Sequence, residues 1–202
     1  MPNLALKQAI KEAYASAPID AIILHTLELR HPAFNHPIRV VRNYADEDRW
    51  LDIGGEEVKA LLDAMEDDER RMVGLVARLE ANAPIEASKM VSFIALGFNL
   101  DLPPIDSIPV PEITVTMDNV GREITDALDL AATSQDKIEI TYRPYLSTDI
   151  EGPQMEPPIT LIITEVEATP LTVTARARML DIGNKAFPSL TYDPETFPGL
   201  IR

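Results

Sequence analysis

Three histidines lie close together in the chain: His25, His31 and His36. Joined by a carboxylate such as Asp20 or Glu28, they would have the donor types of a divalent-metal site. Their spacing argues otherwise. No two stand four residues apart, the separation that sets two imidazoles on one helix face, and His31 and His36 each precede a proline. Ordinary turn or surface histidines are expected, and no metal ligand is assigned. Carboxylates are abundant, so pairs such as Asp46/Asp48 and Asp101/Asp106 carry little information. A glycosidase needs two carboxyl groups at a set distance across a cleft, which sequence spacing does not define. Gly54-Gly55 is not followed by the Lys-Ser/Thr of a phosphate loop, and there is no nucleophile elbow. The chain has no cysteine, which excludes disulfides, thiolate zinc sites, cysteine-ligated iron–sulfur clusters and cysteine nucleophiles. One tryptophan, Trp50, and 5% aromatic residues leave little for sugar-stacking platforms. The expectation is a protein that is not an enzyme, with no cofactor.

Charge narrows the partners. The net charge is −15. Neutralising phosphates takes Lys and Arg, so this balance argues against duplex-DNA binding and against an anionic membrane surface. No run approaches 18 apolar residues and the first residues show no signal peptide, so no membrane insertion is expected and the cytosol is the expected place of synthesis.

The elements that would position any site read as follows. Asn3–Ala15 has the spacing of a short amphipathic helix. Ala21–Leu29 and Ile38–Val41 read as strands around the two-proline turn His31–Pro37. Glu56–Asn82 carries Val58, Leu62, Met65, Glu69, Met72, Val76 and Leu79 at alternating steps of four and three, which predicts a helix. The run Glu66–Glu69 equally suits the end of one helix and the cap of a second. Such a helix lies on the rest of the protein or contacts another subunit. Met90–Leu102 is a strand that changes face near Gly97, the mark of a bulge. Ile113–Met117 and Ile138–Tyr142 alternate as half-buried strands, with a helix over Ile124–Ala132 between them. Ile159–Glu165 and Leu171–Met179 form a hairpin. Its second strand sets Leu171, Val173, Ala175, Ala177 and Met179 against Thr172, Thr174, Arg176 and Arg178. About seven strands with short crossovers imply an α+β fold: a mainly antiparallel β-sandwich or open barrel with flanking helices. The domain organisation expected is one domain over residues 1–202, with a helical insertion at 56–82 and an extended arm at 182–202. Deleting Glu56–Asn82 is expected to leave a folded β-domain.

The arm holds Phe187, Pro188, Leu190, Tyr192, Pro194, Phe197, Pro198 and Leu200. Prolines lower the entropy an extended segment loses on docking. The arm either folds back over its own core or lies across an adjacent subunit. Phe187, Pro188, Tyr192, Pro194, Phe197, Pro198 and Leu200 are the candidate subunit-interface residues.

Several stretches together resemble a family of tail proteins from tailed bacteriophages and prophages, catalogued as a domain of unknown function. They are Ala9–Ser16, Leu27–Phe34, Pro37–Val41, Val91–Phe98 ahead of Pro103-Pro104, Ile113–Val120, and the terminal Phe187-Pro188 with Tyr192–Leu200. The match covers most of the chain except roughly residues 54–87. The resemblance implies a virion protein of the tail tip or baseplate of a long-tailed phage, assembled in the bacterial host cytoplasm. It implies a homo-oligomeric ring, trimeric or hexameric, joining the tail tube to the distal hub. Its partners would be the distal tail ring, the hub and the tape measure, with DNA only as passing cargo. A group similar in position carries a cysteine-ligated iron–sulfur cluster; this chain has no cysteine, so that cofactor is not carried over. The alternatives are a tail-assembly chaperone or peptide-binding module absent from the mature virion, and a cell-wall hydrolase of the tail.

Overall fold

The computed structural model describes residues 21–101, 112–118, 128, 130, 131, 134, 136–169 and 171–179. The helix expected at Asn3–Ala15 and the arm at 182–202 lie outside them. The described residues form one mixed nine-stranded sheet with a flanking helix, which fits the α+β expectation. The strands are β1 (Ile23–Arg30), β2 (Ile38–Val41), β3 (Val73–Arg78), β4 (Met90–Ala95), β5 (Phe98–Asp101), β6 (Glu112–Asp118), β7 (Glu139–Leu146), β8 (Ile159–Ala168) and β9 (Thr172–Met179). Their spatial order is β3-β4-β2-β1-β7-β8-β9-β6-β5. Every pairing is antiparallel except β2 with β4.

This order forces the sheet to curl. β4 and β5 lie seven strand spacings apart in the order, about 34 Å if the sheet were flat. Only Leu96 and Gly97 join them, and the chain from Ala95 to Phe98 spans at most about 11 Å. One bent strand therefore ties the two ends of the roll together, and the bend falls where the face change near Gly97 was expected. Leu96 N donates to Val41 O at 3.0 Å on one side, and Asp118 N donates to Gly97 O at 2.9 Å on the other. The result is an open roll rather than a closed barrel. Its interior gathers Leu27, Leu29, Val40, Leu96, Phe98, Met117, Leu161 and Val173, residues drawn from both ends of the sheet order.

A second core lies under helix α1 (Glu47–Asp63). Asp46 caps it, its side chain accepting from Arg49 N at 3.2 Å. The helical path is interrupted at Gly55, which joins two helical segments. Gly55 takes φ 66°, a conformation glycine adopts without the penalty of a Cβ, and the helix kinks there. Trp50, Val58 and Leu62 are wholly buried against Val41, Leu75, Phe93 and Tyr145.

The helix predicted to reach Asn82 does not do so. After α1, Glu66 starts a single helical turn, Asp67–Arg70, as the second reading of the acidic run allowed. The chain then enters β3 and pairs with β4. Val73, Leu75, Val76 and Ala77 have no exposed surface, so β3 is apolar on both faces. A strand buried on both sides shows no alternation, and its apolar residues fell onto helical steps by coincidence. Residues 56–82 thus supply the second half of α1, a helical turn and strand β3, and the helical expectation holds only as far as Arg70.

Candidate functional site

Along β1 the side chains alternate between two environments. His25, Leu27 and Leu29 point into the roll, while Leu24, Thr26, Glu28 and Arg30 point outward. The outward face would ordinarily be wet, yet Glu28 is 1% exposed and Arg30 8%. Register explains what surrounds them. Glu28 stands opposite Arg39 of β2 and Thr141 of β7, and Arg30 stands opposite Glu139. Arg143, two residues beyond Thr141, completes the group.

The distances define an ionic cluster. Arg39 Nε donates to Glu28 Oε2 at 2.8 Å. Arg143 Nη1 lies 3.3 Å and Arg30 Nη1 3.6 Å from Glu28 Oε1. Arg30 Nη2 donates to Glu139 Oε2 at 3.0 Å and to Thr141 Oγ1 at 3.2 Å. The connection from β3 to β4, residues 79–89, crosses over this face and brings two more carboxylates. Glu80 takes both Arg143 Nε and Nη2 at 2.8 Å, and Glu86 Oε2 lies 2.8 Å from Arg39 Nη2. Glu86 and Ser88 hold positive φ of 56° and 61° in that connection. A non-glycine residue in this region costs of order 1 kcal/mol or more and persists where surrounding contacts impose it.

Burial works against the charge on Arg143. The hydrogen bonds it donates to Glu80 and the charges of Glu28 and Glu80 outweigh it and hold the guanidinium above its usual range. Beside it Tyr145 is fully buried, which pushes its phenol well above the usual tyrosine range, and its O–H donates to Arg78 O at 3.1 Å. The carboxylates of Glu28 and Glu80 are already taken up by guanidinium donors. Using either as a base would strand a buried arginine, so the cluster acts as an electrostatic rivet that holds 79–89 to the sheet.

An open groove of about 460 Å³ flanks the cluster, with Arg30, Glu139 and Ile162 on its floor and Pro32, Pro84 and Ile85 among its walls. Lys137 sits at its rim and has no ion-pair partner among the described residues.

The residues singled out from sequence fall elsewhere. His25 Nδ1 lies 2.7 Å from Tyr142 Oη, its ring stacked on the tyrosine with centroids 5.9 Å apart. Burial first, and the charge of Arg42 second, lower its pKa. His31 Nε2 donates to Asp136 O at 3.3 Å while its Nδ1 accepts from Ala33 N at 3.1 Å. His36 joins neither, and among the described residues no group of three or more His, Asp or Glu could hold a metal ion. Asp46 serves as a helix cap, Asp101 ends β5, and Asp20 and Asp106 lie outside the described residues. The interface candidates Phe187, Pro188, Tyr192, Pro194, Phe197, Pro198 and Leu200 also lie outside them. Glu28, Arg39, Glu80 and Arg143 were not linked from sequence. The usable signal was a charged residue inside each of three apolar strand segments: Leu27-Glu28-Leu29, Ile38-Arg39-Val40 and Tyr142-Arg143-Pro144.

Among the described residues no helix is long and apolar enough to cross a membrane. A model for the protein family described as Domain of unknown function (DUF1833) matches residues 9–192. No curated protein and no solved structure matches the chain.

Proposed function

The chain belongs to the DUF1833 family, and from that premise we propose that it is a structural subunit of a bacteriophage tail tip or baseplate. It forms a ring that joins the tail tube to the distal hub. The sequence resemblance to phage tail proteins gives the reading its direction. The observation that carries it is the fate of the positive charge. Arg30, Arg39, Arg70, Arg71, Arg78, Arg143 and Arg176 each lie within 4 Å of a carboxylate, in a chain of net charge −15. The field left over is negative, which suits the wall of a passage that DNA crosses without sticking. A rolled sheet tied across by the bend at Leu96-Gly97 and riveted by buried ion pairs suits a part that bears load. The arm clasps the neighbouring subunit in the finished ring, through Phe187, Pro188, Tyr192, Pro194, Phe197, Pro198 and Leu200. Distal tail ring, hub and tape measure are its other neighbours, and the ring is built in the host cytoplasm.

The test is the composition of purified particles. Quantitative mass spectrometry of virions is expected to find the chain at a fixed copy number that is a multiple of three, with antibody label at the distal tail end. A chain present in lysates during assembly but missing from finished particles would replace this reading with that of an assembly chaperone.

A further inference from the structure

The groove beside Arg30 and the point where β9 ends are neighbours. Arg178 pairs directly with Ile162, the apolar residue of the groove floor, and Met179 pairs with Leu161. Paired strands lie about 4.8 Å apart, so residues 180–202 set out from one strand spacing beside the groove. Phe187 is eight residues past Met179 and reaches up to about 27 Å from it, enough to cross the floor.

We infer that the groove is the seat of the chain's own arm. Before assembly the stretch between Phe187 and Pro198 docks in cis, across Ile162 and against Pro32, Pro84 and Ile85. Chemistry matches on both sides. The arm repeats an aromatic residue near a proline in Phe187-Pro188, Tyr192-Asp193-Pro194 and Phe197-Pro198. Such segments lose little backbone entropy when they lie along a groove walled by proline and aliphatic side chains. Ile85 is left 42% exposed on the wall, an apolar surface that an occupant would cover. Lys137 on the rim makes no ion pair among the described residues, whereas the groove's own carboxylates are engaged, Glu139 by Arg30 and Asp136 by the Ser134 hydroxyl, and the arm carries Asp193 and Glu195. The groove volume of about 460 Å³ falls within the range of roughly 300–1,000 Å³ typical of clefts that bury a small ligand.

The proposal deepens the tail-subunit reading, which has the arm clasp a neighbour in the finished ring: the same contact, made first in cis, keeps the arm from engaging a wrong surface beforehand. It does not depend on that reading, since the isolated full-length chain is enough to test it.

The absence of native cysteine makes the test clean. Asp136→Cys, at the groove, is paired in turn with Lys185→Cys, Ser189→Cys or Thr196→Cys in the full-length protein. Under mild oxidation at least one pair is expected to close an intramolecular disulfide, seen as a faster-migrating monomer. Adding Ile85→Asp slows that closure at least tenfold, and the exposed change Lys137→Glu slows it in the same direction without touching the core. Chymotrypsin cleavage after Tyr192 of the cysteine-free chain, whose next residue is Asp193 rather than proline, accelerates at least tenfold with either change. No disulfide in any pair, closure rates indifferent to both groove variants, or linked dimers alone would each overturn docking in cis. Any of these results leaves the virion-composition test of the tail reading untouched.

Discussion

Arg143 and Glu80 are joined by two parallel hydrogen bonds, Nε to Oε2 and Nη2 to Oε1, each 2.8 Å long. Arg143 has no exposed surface and comes from the middle of β7, whereas Glu80 comes from the connection that follows β3. Removing one partner of a buried pair leaves an uncompensated charge. Glu80→Leu is expected to cost about 3 kcal/mol in urea unfolding. Arg143→Met together with Glu80→Leu is expected to cost clearly less than the two single changes added together. Strict additivity would show that the pair does not hold residues 79–89 to the sheet.

His25 sets an acid limit. Its pKa is lowered from 6.5 by burial and by Arg42, so the unfolded chain takes up its proton at higher pH than the folded one. The stability this provides is complete above about 6.5 and is lost as pH falls through the lower folded value. Unfolding free energies measured between pH 7 and pH 5 should therefore decline in the native chain. They should decline less in His25→Gln, whose amide is uncharged and retains an acceptor for Tyr142. Equal slopes would remove His25 from the account.

Gly74 of β3 lies tight against both β4 and β2. A Cβ there would lie 2.8 Å from Ala95 Cβ, 2.8 Å from Val41 Cγ1 and 3.0 Å from Ala95 Cα. Backbone must shift to admit it, so Gly74→Ala is expected to cost about 1–3 kcal/mol and to lower the melting temperature by several degrees. Gly97→Ala should be milder, because its Cβ would meet only the carboxylate end of Asp118. A calorimetric ranking in the opposite order would contradict this packing.

Deleting Glu56–Asn82 removes β3 together with Val58 and Leu62 and uncovers Val41, Phe93 and Tyr145. These contacts lead to an expectation opposite to that of a dispensable helix: the shortened chain should lose its cooperative unfolding transition and its near-ultraviolet dichroism. A native-like transition in that variant would restore the external-helix picture.

Local order was legible wherever one face of a strand is wet and the other dry. Ile113, Val115 and Met117 alternate with Thr114 and Thr116, and Val173, Ala175 and Ala177 alternate with Thr174 and Arg176. Both stretches are strands, with Val115, Met117, Val173, Ala175 and Ala177 buried. The bend near Gly97 was legible too, because the apolar face changes sides there. β3 was not, since burial on both faces erases the two-residue period that marks a strand. The ionic cluster was not legible either. Glu28, Arg39, Glu80 and Arg143 stand in four separate segments, and each alone looks like a charge on a solvated face. Strand register and the crossing of residues 79–89 bring them within 2.8–3.3 Å and take them out of water. Composition and periodicity, being local properties, determined an acidic, cysteine-free, mainly antiparallel β protein. Which charges are buried, where the sheet rolls, and that a groove opens beside the end of β9 depend on contacts distant in sequence, and only the tertiary structure decided them.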